Sequence, residues 1–119
     1  MYDLHHHLAG RGGVILVIRA PRELNHDTAD TIRTAVTRGL PNADGAAAVF
    51  DLADVQIMTS IGIAALLQVQ EHCADRGARL ILARVPERQL AFMRMLKLER
   101  KFEFAPSVED AVAMLEGPP

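Results

Sequence analysis

The sequence has one cysteine, no tryptophan, and aromatic residues at only 4% of 119 positions. With Cys73 alone, no intramolecular disulfide can form, which fits a reducing compartment. So few aromatics mean that a core has to be aliphatic, built from Leu, Ile, Val, Ala and Met within an apolar half of the chain. A dominant charge of one sign is lacking too: the formal net charge is −2 and the pI is near 6.2, which disfavours nucleic acid as the partner. No apolar run approaches the ~20 residues of a membrane span. The opening MYDLHHHLAGRGG lacks the basic-then-apolar layout of a signal peptide. These absences predict a cytoplasmic chain that does not insert into a membrane. A length of 119 residues predicts one domain over 1–119 with room for a real core.

What is present centres on residues 46–77, AAAVFDLADVQIMTSIGIAALLQVQEHCADRG. Residues 48–52 have the length and apolarity of a buried strand. After Ala53-Asp54 and Val55-Gln56-Ile57-Met58 comes the polar pair Thr59-Ser60, then an apolar run from Ile61 to Leu67. Val69, Cys73 and Ala74 continue at helical spacing until Gly77. Thr59 and Ser60 therefore sit at a helix start, where a hydroxyl caps free backbone N–H groups. The same N–H groups and the positive end of the helix dipole suit a phosphate. Gly62 in the first turn weakens a helix and is expected to permit close approach of another backbone. Ile63, Leu66 and Leu67 are expected to be buried.

Around this stretch the chain alternates strand and helix. Residues 2–8 and 14–18 read as two strands joined by the glycine-rich turn Ala9-Gly10-Arg11-Gly12-Gly13, a hairpin. Residues 20–27 read as a loop, and 27–39 as a helix with Ala29, Ile32, Ala35 and Val36 on one face. Pro41 to Gly45 form a break. Residues 79–83 read as a strand, and Pro86 opens a helix with Leu90, Met93 and Leu96 as its buried stripe. Residues 102–104 read as a last short strand, and Ser107 caps a helix through Leu115. The expected fold is α/β: a mixed, mostly parallel sheet of four to five strands, about four helices and an opening β-hairpin.

Enzyme motifs are missing: no GxxxxGK[ST], no GxGxxG and no GxSxG. A hydrolase using Ser60 would need a partner among His5, His6, His7, His26 and His72, none of which has triad-like flanks. On a strand, His5 and His7 share a face, but no metal-binding spacing accompanies them, so they read as a polar edge strand. Asp51 with Asp54 nearby is too sparse for a divalent-metal site. Asp51 is expected to act structurally near the helix start, accepting backbone or hydroxyl hydrogen bonds there. Cys73 reads as an inert core residue, and Arg88, Arg94 and Arg100, balanced by Glu87 and Glu99, as a solvated face. No catalytic residue, metal or cofactor is expected.

VFDLADVQIMTSIGIAALLQV, followed by RGARLILARVPERQLAFMRMLKLERKFEFAPSVEDAVAML, resembles the STAS domain of anti-sigma factor antagonists over about residues 14–115. Asp51 matches that family's strand aspartate, Ser60 its phosphorylated serine, and Gly62 and Ile63 the residues after it. The resemblance implies a non-enzymatic binding module, phosphorylated on Ser60, whose partner is an anti-sigma factor with serine kinase activity that brings its own ATP. Docking would release a sigma factor, and Asn25, Thr59, Ser60, Ile61, Gly62 and Ile63 would form the contact. Two positions depart from the pattern: Thr59 and Asn25 stand where acidic residues are usual. Both lower the local negative charge, and Thr59 becomes a second candidate acceptor. The alternative implied by the same resemblance is a STAS subunit of a stress-signalling scaffold or of a lipid-transporting ABC system.

Overall fold

A computed structural model describes residues 3–8, 14–40 and 46–116. The strands are β1 (Asp3–Leu8), β2 (Val14–Arg19), β3 (Glu23–Leu24), β4 (Ala47–Asp51), β5 (Ile57–Met58), β6 (Arg79–Ala83) and β7 (Glu103–Ala105). The helices are α1 (His26–Gly39), α2 (Ser60–Asp75), α3 (Glu87–Met95) and α4 (Val108–Glu116), with a 3₁₀ turn at Glu99–Lys101. The main sheet runs β1-β2-β4-β6-β7; β1 is antiparallel to β2 and the other pairs are parallel. This is the α/β architecture expected, with the three anticipated core strands adjacent. The three consecutive histidines lie in β1, an edge strand of that sheet. The expected turn at 9–13 and break at 41–45 lie outside the described residues.

Every residue of β4 is buried, as in a parallel strand covered on both faces. Period-two alternation divides the core into two layers. Leu16, Ile18, Ala48, Phe50, Leu80 and Leu82 pack with Ile32 and Val36 of α1, Leu66 and Val69 of α2 and Met93 of α3. Ile15, Val49, Ile81 and Ala83 form the other layer with Ala111 of α4. Helix α1 buries Ala29, Ile32, Ala35 and Val36, the face its spacing predicts.

Two expectations about helix faces need correction. In α2, Ile63 and Leu66 are buried but Leu67 is only half-buried, one position round the helix from the sheet. In α3, Met93 is fully buried, whereas Leu96 is 41% exposed. The helix ends at Met95 and Lys97 takes a left-handed φ of 59°, so Leu96 is carried off the stripe. Gln89 is buried in that helix instead, its Nε2 donating to the Gln56 carbonyl at 3.0 Å.

The third correction is topological. Within the segment expected to be a loop, Glu23–Leu24 pairs in parallel with Ile57–Met58 as a separate two-stranded sheet. Two-residue strands carry no readable alternation. They nonetheless decide how α1 and α2 begin.

Candidate functional site

The site grows out of this short pairing. The N–H groups of Gln56 and Ile57 donate to the Arg22 carbonyl at 2.8 and 3.1 Å, and that of Thr59 donates to the Leu24 carbonyl at 2.9 Å. The chain therefore enters α1 and α2 along neighbouring, parallel paths, and the two helix N-termini lie side by side. Asn25 caps α1: its side chain accepts from the Asp27 N–H at 2.9 Å, and its own N–H donates to Thr28 Oγ1 at 3.0 Å. Thr59 caps α2, accepting from the Gly62 N–H at 3.2 Å and donating through its hydroxyl to the Leu24 carbonyl at 3.3 Å. Gly62 is what allows the approach. A Cβ at this position would stand 2.0 Å from the Leu24 carbonyl oxygen.

The cap at the start of α2 is thus the hydroxyl of Thr59, and Ser60 is the first helical residue. Both are exposed, but only the Ser60 hydroxyl is without a partner among the described residues. Ile61 projects into solvent at 54% exposure, while Gly62 and Ile63 are buried beneath the site. Of the expected contact residues, Asn25, Thr59, Ser60 and Ile61 reach the surface at this end of the fold, and Gly62 and Ile63 support them from below. Ile57, at 48% exposure, is an apolar surface residue that sequence reasoning missed. Its outward direction follows from Met58 turning into the core beside it, which only the β3–β5 pairing reveals.

Asp51 closes β4 next to this arrangement. Its carboxylate is buried and receives the Arg84 guanidinium through two bonds, one to Oδ1 at 3.0 Å and one to Oδ2; Oδ1 also accepts from the Ala53 N–H at 3.1 Å. Burial pushes its pKa up, but the bonds from Arg84 and Ala53 and the charges of Arg84 and Arg19 outweigh that, holding the carboxyl below its ordinary value. A backbone bond is expected at the helix start, but the one Asp51 accepts comes from Ala53: Asp51 bonds neither Thr59 nor Ser60 and instead holds the start of the loop that leads to them. A cleft of about 870 Å³ beside the paired strands is lined by Arg19, Arg22 and Asp54 among others. Its arginines are committed, Arg19 to Asp54 at 2.8 Å and Arg22 to Gln56 at 2.7 Å. Cys73 is fully buried, and burial pushes its thiol up to about 11.

A comparison with protein families matches the STAS domain over residues 7–111. The chain belongs to the STAS domain family. Solved structures agree with that assignment. The STAS domain is similar to an anti-sigma-factor antagonist (STAS) domain protein from Planctomyces limnophilus, with 13% identity and a TM-score of 0.80 over 97% of this chain and 99% of that one. It is similar to the Bacillus cell fate determinant SpoIIAA in its phosphorylated form, with 21% identity and a TM-score of 0.61 over 92% of this chain and 96% of that one. A sulfate transporter family protein from Wolinella succinogenes has 21% identity and a TM-score of 0.68 over 92% and 89% of the two chains. At these identities the likeness is one of fold, shared by antagonists and transporter-associated proteins. No helix among the described residues of this STAS domain is long and apolar enough to cross a membrane.

Proposed function

We propose that this STAS domain is an anti-sigma factor antagonist that docks, through the exposed end of α2, on an anti-sigma factor with serine kinase activity. Phosphorylation of Ser60 is the switch. The observation that carries the reading is the difference between two adjacent hydroxyls. Thr59 is tied to the Leu24 carbonyl and the Gly62 N–H, whereas Ser60 stands free at the first position of a 16-residue helix. A kinase acting on Thr59 would have to break both bonds; at Ser60 it breaks none. The exposed Ile57 and Ile61 supply an apolar contact on either side of Ser60. A phosphate there adds about −1.5 to −2 charges, which the helix dipole stabilises in the free protein and which a covering partner must desolvate. The partner brings the nucleotide, so the chain needs no cofactor or metal and acts without catalysis of its own, in the cytoplasm. A second reading, a STAS subunit of a signalling scaffold or a lipid-transport system, draws on the likeness to the Wolinella transporter family protein.

Mass spectrometry of the protein isolated from its source should find phosphate on Ser60 and not on Thr59. In binding assays with an anti-sigma kinase from the same source, Ser60→Ala should bind as the wild type does. Ser60→Asp should remain folded and lose binding. Stability separates the two hydroxyls: Thr59→Ala removes a cap and should cost ~1 kcal/mol, while Ser60→Ala, an exposed non-cap change, should stay within about 0.5 kcal/mol. Equal partner affinity for wild type and Ser60→Asp would end the proposal.

A further inference from the structure

Residues 87–101 differ in charge from the rest of the chain. They hold five cations, Arg88, Arg94, Lys97, Arg100 and Lys101, against Glu87 and Glu99, in a chain of formal net charge −2. Arg94 pairs with Glu87 at 3.2 Å. The other four are exposed and form no ion pair with a described residue, so the balance expected from sequence is only partly realised. Glu99 is half-buried, with its Oε2 shut away from solvent.

Among these cations the chain makes a tight turn. The Lys97 N–H bonds to the Arg94 carbonyl and the Leu98 N–H to the Met93 carbonyl, both at 2.9 Å, with Lys97 in the left-handed region usually taken by glycine. Leu98 folds back against the core, and Met95 and Leu96 are left outside, 71% and 41% exposed. Met95 is the most exposed large apolar side chain among the described residues. Exposed Met95 and Leu96 beside the unpaired Lys97, Arg100 and Lys101 fit a surface that is negatively charged and accepts short apolar insertions.

We propose that the tip of α3 is a peripheral contact for an anionic lipid surface. Met95 and Leu96 enter the boundary between headgroups and acyl chains, and Lys97, Arg100 and Lys101 lie against lipid phosphates. The contact is independent of the reading of Ser60. Helix α3 begins beside Gln56, where Gln89 donates to its carbonyl, and Met95 is six residues further on, ~9 Å along the axis. Arg88, in the first turn of α3, lies towards that Gln56 end and is not part of the contact.

The test is sedimentation of the purified chain with vesicles of phosphatidylcholine alone and of phosphatidylcholine mixed with phosphatidylglycerol. Binding should require phosphatidylglycerol and weaken steeply with added salt. The triple variant Lys97→Asn, Arg100→Gln, Lys101→Gln should bind about a hundredfold more weakly, since each cation near such a surface contributes roughly fivefold. Met95→Ser should weaken the remaining, salt-resistant part. All four positions are exposed, and an unchanged melting temperature verifies that the variants are folded; the salt dependence of the wild type tests the electrostatics without any variant. No binding to either vesicle, or binding that the triple variant leaves unchanged, overturns the proposal. So does binding to soluble polyglutamate without binding to vesicles, which would assign the tip to an acidic protein.

Discussion

A single glycine decides the geometry of the site. On helix propensity alone, Gly62→Ala would stabilise α2 by up to ~1 kcal/mol. The Leu24 carbonyl, 2.0 Å from where the new Cβ would stand, reverses the sign, because backbone cannot yield as the tip of a side chain can. Gly62→Ala should therefore destabilise the protein by on the order of 1–3 kcal/mol, the range for overpacking. The measurement is the urea midpoint; an unchanged or raised midpoint would mean that β3 and α2 separate at little cost. The same substitution should loosen the tie between Thr59 and Leu24 and so displace Ser60 and Ile61. That a glycine in a first turn admits another backbone was legible in the sequence. That the backbone belongs to Leu24 was not, since the two are brought together by pairing across more than thirty residues.

At the scale of the element, α2 shows how far periodicity reaches. Its near-continuous apolar run makes Leu66 and Leu67 look equivalent. The structure separates them: Leu66 is fully buried between the sheet and the neighbouring helices, and Leu67 is at the edge. Leu66→Ala should cost on the order of 2–5 kcal/mol, the range for a buried leucine. Leu67→Ala should cost distinctly less, because part of its side chain already meets water. Thermal or urea unfolding of the two variants provides the comparison, and equal losses would contradict the packing. Helix α3 makes the same point at its end. Leu96 fits the 3.6-residue stripe, yet the left-handed turn at Lys97 ends the helix before the stripe is complete.

At the scale of the molecule, charge pairs fasten the ends of the sheet. Arg84, just after β6, reaches across to Asp51 at the end of β4, and Arg79 at the start of β6 reaches Glu103 of β7. Both carboxylates are held below their ordinary values: Glu103 by the Arg79 hydrogen bond, partly opposed by burial, and Asp51 by Arg84 and Ala53 despite its burial. A carboxylate with a depressed folded-state pKa contributes stability above its unfolded value of ~4 and loses it as pH falls through the lower folded value. Stability should therefore decline in acid. Asp51→Asn should cost ~1–3 kcal/mol at neutral pH, because the half-exposed Arg84 loses its charged partner while the Ala53 N–H keeps an acceptor. The gap between variant and wild type should narrow as pH falls and Asp51 itself becomes protonated. A gap that stays constant from neutral to acid would show that the pair does not titrate with folding.

By itself the sequence determined the α/β order, the three central strands, the buried face of α1 and the presence of a hydroxyl pair at the start of α2. All of these follow from side-chain periods of 2 and 3.6 and from capping chemistry, which act within a few residues. Only the tertiary structure decided that Thr59 caps and Ser60 stays free, that Ile57 joins Ile61 at the surface, and that Asp51 pairs with Arg84, 33 positions away. It also left Arg88 and Arg100, which sequence counting balances with Glu87 and Glu99, without an acidic partner among the described residues. Each of these depends on which distant backbone lies alongside. That is set by strand register across the whole sheet, where pairing energy is shared by many residues and no short stretch carries a signal of its own.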